Sequence, residues 1–128
     1  MDDRVIPDKL KNFELEVEVT EAAIVKGDCG TESCPIALSV IDELPTGWKI
    51  SVGRETISIY DEEMHETQFV NEEWVSNWIF RFDDTFSSLP VLNHQVVDNY
   101  FYLLEEAAPF KISLTKNKDG ERWAKEVR

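Results

Sequence analysis

Phe13, Leu15, Val17 and Val19 alternate with Glu14, Glu16 and Glu18, and this apolar–acidic period of two predicts a half-buried β-strand over 13–19. Thr20 then stands as a helix cap before a short helical turn, Glu21 to Lys26, closed by Gly27. After a loop over 28–33, Pro35 suits the first turn of a second helix. Its Ile36, Ala37, Val40, Ile41 and Leu44 share one face, and Pro45-Thr46-Gly47 stops it. The period of two returns in Trp48, Ile50 and Val52, and again in Ile57 and Ile59. With Gly53-Arg54 between them, the two runs predict a hairpin. An acidic loop over 61–66 leads to a third helix. Asn71 is its expected N-cap, Glu72 and Glu73 complement its dipole, Val70 can staple to Val75, and Trp74, Val75, Trp78, Ile79 and Phe82 form its core-facing stripe. Beyond Leu89-Pro90, the spacing of Val96, Val97, Tyr100, Phe101 and Leu104 predicts a further helix up to Ala107. Phe110, Ile112 and Leu114 then alternate in a last strand.

Strand, helix, strand, strand, helix, strand is the order of the ferredoxin-like βαββαβ unit. The expectation is therefore an α+β domain with a four-stranded antiparallel sheet, helices on one face and an inserted helix before the last strand. Right-handed crossovers would place the first strand at the centre, between the third and the fourth. Residues 1–12 read as a flexible arm, 13–116 as a single domain with its insertion at 85–108, and 117–128 as a basic tail.

Composition narrows the class. Of the 128 residues, 42% are hydrophobic and four are Trp, enough for one real core and too much for a disordered chain. The longest apolar run, Tyr100 to Leu104, is far short of a membrane span. The acidic start Met1-Asp2-Asp3 leads to no apolar signal region, and two cysteines fit a reducing compartment, so a cytoplasmic location is expected. The net charge of −13 is unevenly spread. From Glu55 to Glu106 twelve acids face one base, Arg81, whereas from Lys111 to Arg128 six bases face three acids. Such a middle segment repels nucleic acid and acidic membranes and attracts basic surfaces.

Gly27-Asp28-Cys29, Cys34-Pro35-Ile36-Ala37-Leu38, Ser51-Val52-Gly53, Phe82-Asp83-Asp84 and Pro109-Phe110 together resemble small uncharacterised proteins of bacteriophages and actinobacteria. The similarity covers roughly residues 13 to 84 and 109 to 115. Here the two cysteines stand further apart than in those proteins, and residues 85–108 replace a short link. What the resemblance implies is a phage-type accessory or anti-defence protein; it assigns no catalytic residue.

The candidates for chemistry are few. Cys34, just before Pro35, sits where free amide donors at a helix start could stabilise a thiolate. Cys29 and Cys34 could also give half of a zinc site completed by His65 and His94, although their separation is not that of a redox pair. Asp61-Glu62-Glu63 and Asp83-Asp84 could hold a hard cation, but they match no calcium-loop pattern and read better as solvated surface. Gly27, Gly30, Gly47, Gly53 and Gly120 are scattered and build no phosphate loop. The ferredoxin-like sheet is also an RNA platform, yet a central strand showing Glu14, Glu16 and Glu18 opposes a phosphate backbone.

The expectation for function is accordingly a non-enzymatic, acidic protein-interaction module without a cofactor. It would bind a basic protein surface through Asp61, Glu62, Glu63 and Glu66, and through an apolar patch at Tyr100, Tyr102 and Leu103. The alternative is a small-ligand or metal-binding protein or enzyme built on the Cys29/Cys34 region.

Overall fold

The computed structural model describes residues 7–88 and 104–127. Its centre is a six-stranded sheet curled into a half-barrel. In chain order the elements are α1 (Asp8–Lys11), β1 (Leu15–Val19), α2 (Glu21–Lys26), α3 (Pro35–Ile41), β2 (Lys49–Val52), β3 (Thr56–Tyr60), β4 (Glu66–Asn71), α4 (Glu73–Ser88), β5 (Phe110–Lys116) and β6 (Arg122–Val127). The strands lie in the order β1-β5-β6-β4-β3-β2, antiparallel throughout except for the parallel pair β4–β6.

This corrects the ferredoxin-like expectation. The four expected strands form, and the first and last of them pair antiparallel, Leu15 opposite Leu114 and Val19 opposite Phe110. Two further strands enter the sheet between them and the hairpin. β4 comes from the end of the expected acidic loop, and β6 from the expected tail. Because β6 takes the far side of β5 and pairs with β4, β1 is displaced from the centre to an edge. The objection to RNA therefore loses its geometric premise, a central acidic strand, and keeps only its charge.

The faces of the sheet follow the pattern of the sequence. Leu15, Val17 and Val19 turn inward while Glu14, Glu16 and Glu18 are exposed. Ile57, Ile59, Phe69, Ile112, Leu114 and Ala124 continue the same inner surface, all fully buried. α4 supplies Trp78 and Phe82 to it, and the Trp74 and Trp78 rings lie 5.0 and 4.9 Å from that of Phe110. The residues around α1 are anchored rather than loose. Leu10 is fully buried, and the Phe13 ring lies 5.7 Å from Trp48 and 6.3 Å from Phe69. α3 packs against both β1 and β2, the two outermost strands, and so spans the mouth of the half-barrel.

Local capping explains where the helices begin. Thr20 accepts a hydrogen bond from Ala23 N–H at 3.2 Å, as a cap of α2 should. Cys34 caps α3 in the same way with its sulfur, and Pro35 occupies the first helical position. Asn71 does not cap α4. It ends β4, buried, and its amide donates to the carbonyls of Gly53 and Arg54 at 2.9 and 3.0 Å, tying the β2–β3 turn to the next strand. Of the expected insertion helix, residues 104–106 are helical, and Arg81 Nε reaches the Glu106 carbonyl at 3.0 Å. Its residues 96–103 lie outside the described residues.

Candidate functional site

The acidic loop between β3 and β4 is organised around Asp61. It reverses the chain between two paired strands: Asp61 N–H donates to the His65 carbonyl and Met64 N–H to the Asp61 carbonyl, each at 3.0 Å. Met64 sits at the tip with φ of 67°, a left-handed conformation that costs a non-glycine residue about 1–2 kcal/mol. Asp61 compensates from inside the turn. Its Oδ1 accepts the N–H groups of Glu63 and His65, both at 2.9 Å, and its Oδ2 faces His65 Nδ1 at 3.0 Å and Lys9 Nζ at 3.9 Å. The carboxylate is wholly buried, so it is an internal support and not one of the surface charges expected of this loop.

Glu62 is held from the other side. It is bound by Lys9 Nζ and accepts Trp48 Nε1–H at 2.7 Å, while Lys9 also lies 5.8 Å above the Trp48 ring. Lys9 and Trp48 thus join α1 to the loop, a role that sequence reading did not assign. Glu63 and Glu66 remain outward. The Glu63 side chain is 72% exposed, and Glu66 is met by the neutral groups of Tyr60 and Gln68 at 3.5 and 3.2 Å. Of the seven residues expected to face a partner, Glu63 and Glu66 are the carboxylates that face outward without a Lys or Arg partner among the described residues, Glu63 lying 4.0 Å from His65 Nδ1. Tyr100, Tyr102 and Leu103 lie outside the described residues.

Ionisation follows from these contacts. Burial opposes charge on Asp61, but the hydrogen bonds from the His65 ring and from the His65 and Glu63 amides outweigh it and hold its pKa below the usual 3.8. The Lys9 contact, with help from Trp48, lowers Glu62, and the same contact raises Lys9. A carboxylate with a lowered pKa in the folded state adds stability that is complete above its unfolded value and is lost as pH falls through the folded one. The Asp61→Asn variant is therefore expected to have a lower urea midpoint at neutral pH and a shallower loss of stability below about pH 4. Parallel pH curves for variant and parent would contradict this role.

Asp61, Glu63 and His65 are the one group among the described residues whose donor atoms, all within 4.8 Å of each other, could meet at a cation. The arrangement favours the loop itself. Two backbone donors occupy Asp61 Oδ1, and the Lys9 ammonium already brings positive charge to Oδ2. His65 therefore has Asp61 as its partner, not the cysteines. Cys34 is buried, and its sulfur accepts Ala37 N–H at 3.5 Å; burial pushes the thiol up to about 11, the opposite of the thiolate considered for a helix start. Cys29 is exposed, with its sulfur 3.8 Å from the Asp83 carbonyl and 3.9 Å from Ser87 Oγ, and burial raises its pKa as well. Asp83 is paired with Arg54 at 3.6 Å. His94, the remaining metal candidate, lies outside the described residues.

Compared with known proteins, the chain matches no family model, no curated protein and no solved structure. Among the described residues no helix is long and apolar enough to cross a membrane.

Proposed function

We propose that the chain is a non-enzymatic binding module that recognises a basic protein surface. One observation carries this reading. Glu18, Glu21, Glu32, Glu43, Glu55 and Glu73 are all exposed, and none has a cation partner among the described residues. Uncompensated charge of one sign on a domain with a net −13 sets up a field that draws in positively charged partners and rejects phosphate backbones. The phage-type resemblance would make the partner a host or defence factor whose own basic surface serves nucleic acid. The cysteine-based alternative has less support, because the Cys34 sulfur is engaged as a helix cap and its thiol resists ionisation.

The test is association with a panel of lysine- and arginine-rich peptides, with acidic peptides of matched length as controls, at low and physiological salt. Basic peptides alone should bind, and more slowly as salt rises, since the screening length falls to about 8 Å at physiological ionic strength. Replacing Glu63 and Glu66 together with lysine should reduce the association rate and leave dissociation little changed. Asp61 and Glu62 are left intact in this variant because they hold the loop. Equal binding of acidic and basic peptides, or a rate indifferent both to salt and to the two substitutions, would overturn the reading.

A further inference from the structure

The sheet has two edges, and the fold treats them differently. β2 is met by the loop ahead of α3, where Val52 N–H donates to the Thr31 carbonyl at 2.8 Å. β1 is hydrogen-bonded to β5 along one side, and among the described residues its other side makes no backbone hydrogen bond. An unpaired edge is a ready template for one more strand.

Beside that edge, β1, α2 and α3 frame an open groove of about 390 Å³. Val17, Ala23, Leu38 and Ile41 give it an apolar lining. Its charged rim consists of Glu18, Asp42 and Glu43 against Lys26 alone. The three carboxylates have no cation partner among the described residues. Resting on the binding reading above, we infer that the outer edge of β1, unpaired among the described residues, is the docking site for an extended, basic segment of a partner protein. The segment adds to the sheet as a strand. Side chains of one parity enter the groove and must be apolar, while those of the other parity lie on the outer face and must be basic. There they lie beside Glu18, which has no cation partner among the described residues, and beside Glu16, which Lys111 already holds at 3.4 Å.

Charge also decides against a second copy of this chain as the occupant. Pairing β1 with another β1 would set Glu16 and Glu18 beside the same two residues of the other copy. Lys111 offsets Glu16 at 3.4 Å, but Glu18 has no cation partner among the described residues, and like charges across paired strands are destabilising. A lysine-bearing strand meets the same row with opposite sign.

The probe is a synthetic peptide in which valine and lysine alternate. It is compared with a permuted peptide of identical composition and with a version carrying proline at its centre. The alternating peptide should bind at physiological salt and slow hydrogen exchange at the amides of Leu15–Val19. The permuted and proline peptides, which lack the period of two and a ladder donor respectively, should bind about tenfold more weakly or worse. Replacing Asp42 and Glu43 with lysine, both exposed positions, should weaken the alternating peptide by a similar factor without shifting the thermal midpoint. Equal binding of the three peptides, or unchanged exchange in β1, would overturn the docking site and leave the basic-partner reading standing. Failure of every basic peptide to bind would remove both. Protection of β1 that grows with protein concentration in the absence of peptide, together with a doubled mass, would assign the edge to a second copy and overturn the inference.

Discussion

Replacing Trp78 with alanine is expected to destabilise the domain by about 3–5 kcal/mol. The side chain is 2% exposed in the middle of α4. Its ring stacks on Phe82 at 5.8 Å and leans against Phe110 at 4.9 Å, so its removal leaves a cavity between helix and sheet. A second loss adds to the first. Trp78 Nε1–H donates to the Ala108 carbonyl at 2.9 Å, and truncation strips that acceptor of its donor just where the chain enters β5. Two positions along the same helix, Phe80 is half exposed and stacked against Arg54, at 4.9 Å. Its replacement with alanine should cost less than about 1 kcal/mol. Urea unfolding followed by far-ultraviolet circular dichroism compares the two without relying on tryptophan fluorescence. A loss below about 1 kcal/mol for Trp78 would place the α4 stripe on the wrong face.

That stripe was legible because helical spacing and large apolar side chains point the same way over many residues. The same holds for β1, where the glutamates left no doubt about the outward face. β4 was not read, although its burial alternates perfectly, Thr67, Phe69 and Asn71 inward and Glu66, Gln68 and Val70 outward. Its inner set contains one hydrophobic residue, and Asn71 followed by Glu72-Glu73 is as good a helix cap as it is a strand end. β6 had even less to show, since Ala124 is its only fully buried residue. What holds β6 is the company of two strands, antiparallel β5 and parallel β4, and the second contact joins Val70 to Trp123 across more than fifty residues of sequence. Pairing over that distance leaves no local mark, so a six-stranded half-barrel read as a four-stranded unit. The loop failed for a related reason. Asp61 and His65 are four residues apart and face each other only because the turn closes, whereas the sequence offered the cysteines as the obvious company for a histidine. The outward glutamates were legible, and the burial of Asp61 under Lys9 was not.

Gly27→Ala sets two effects of opposite sign against each other. The backbone at Gly27 is extended, φ −75° and ψ 165°, a conformation open to any residue. Alanine would therefore restrict the unfolded chain without backbone strain, which on its own stabilises by about 0.4–1 kcal/mol. Sterics oppose it. A β-carbon at this position would lie 2.6 Å from Pro35 Cδ, 2.7 Å from Pro35 N and 2.8 Å from Pro35 Cγ, closer than any real contact. The proline ring cannot rotate away, and its nitrogen belongs to the first turn of α3, where Pro35 is itself buried. The junction between α2 and α3 would have to open, and overpacking of this kind costs about 1–3 kcal/mol. The net expectation is a loss on the order of 1–2 kcal/mol, opposite in sign to the usual benefit of replacing an extended glycine. Pro35→Ala provides the comparison, because it removes the two ring carbons that the new methyl group would strike and leaves only the backbone nitrogen at 2.7 Å. In a double-mutant cycle the pair should couple favourably, the second substitution recovering part of what the first lost. A neutral or stabilising Gly27→Ala, or strict additivity with Pro35→Ala, would mean that α2 and α3 are not in close contact at this point, and that the wall they give to the groove beside β1 is looser than the structure shows.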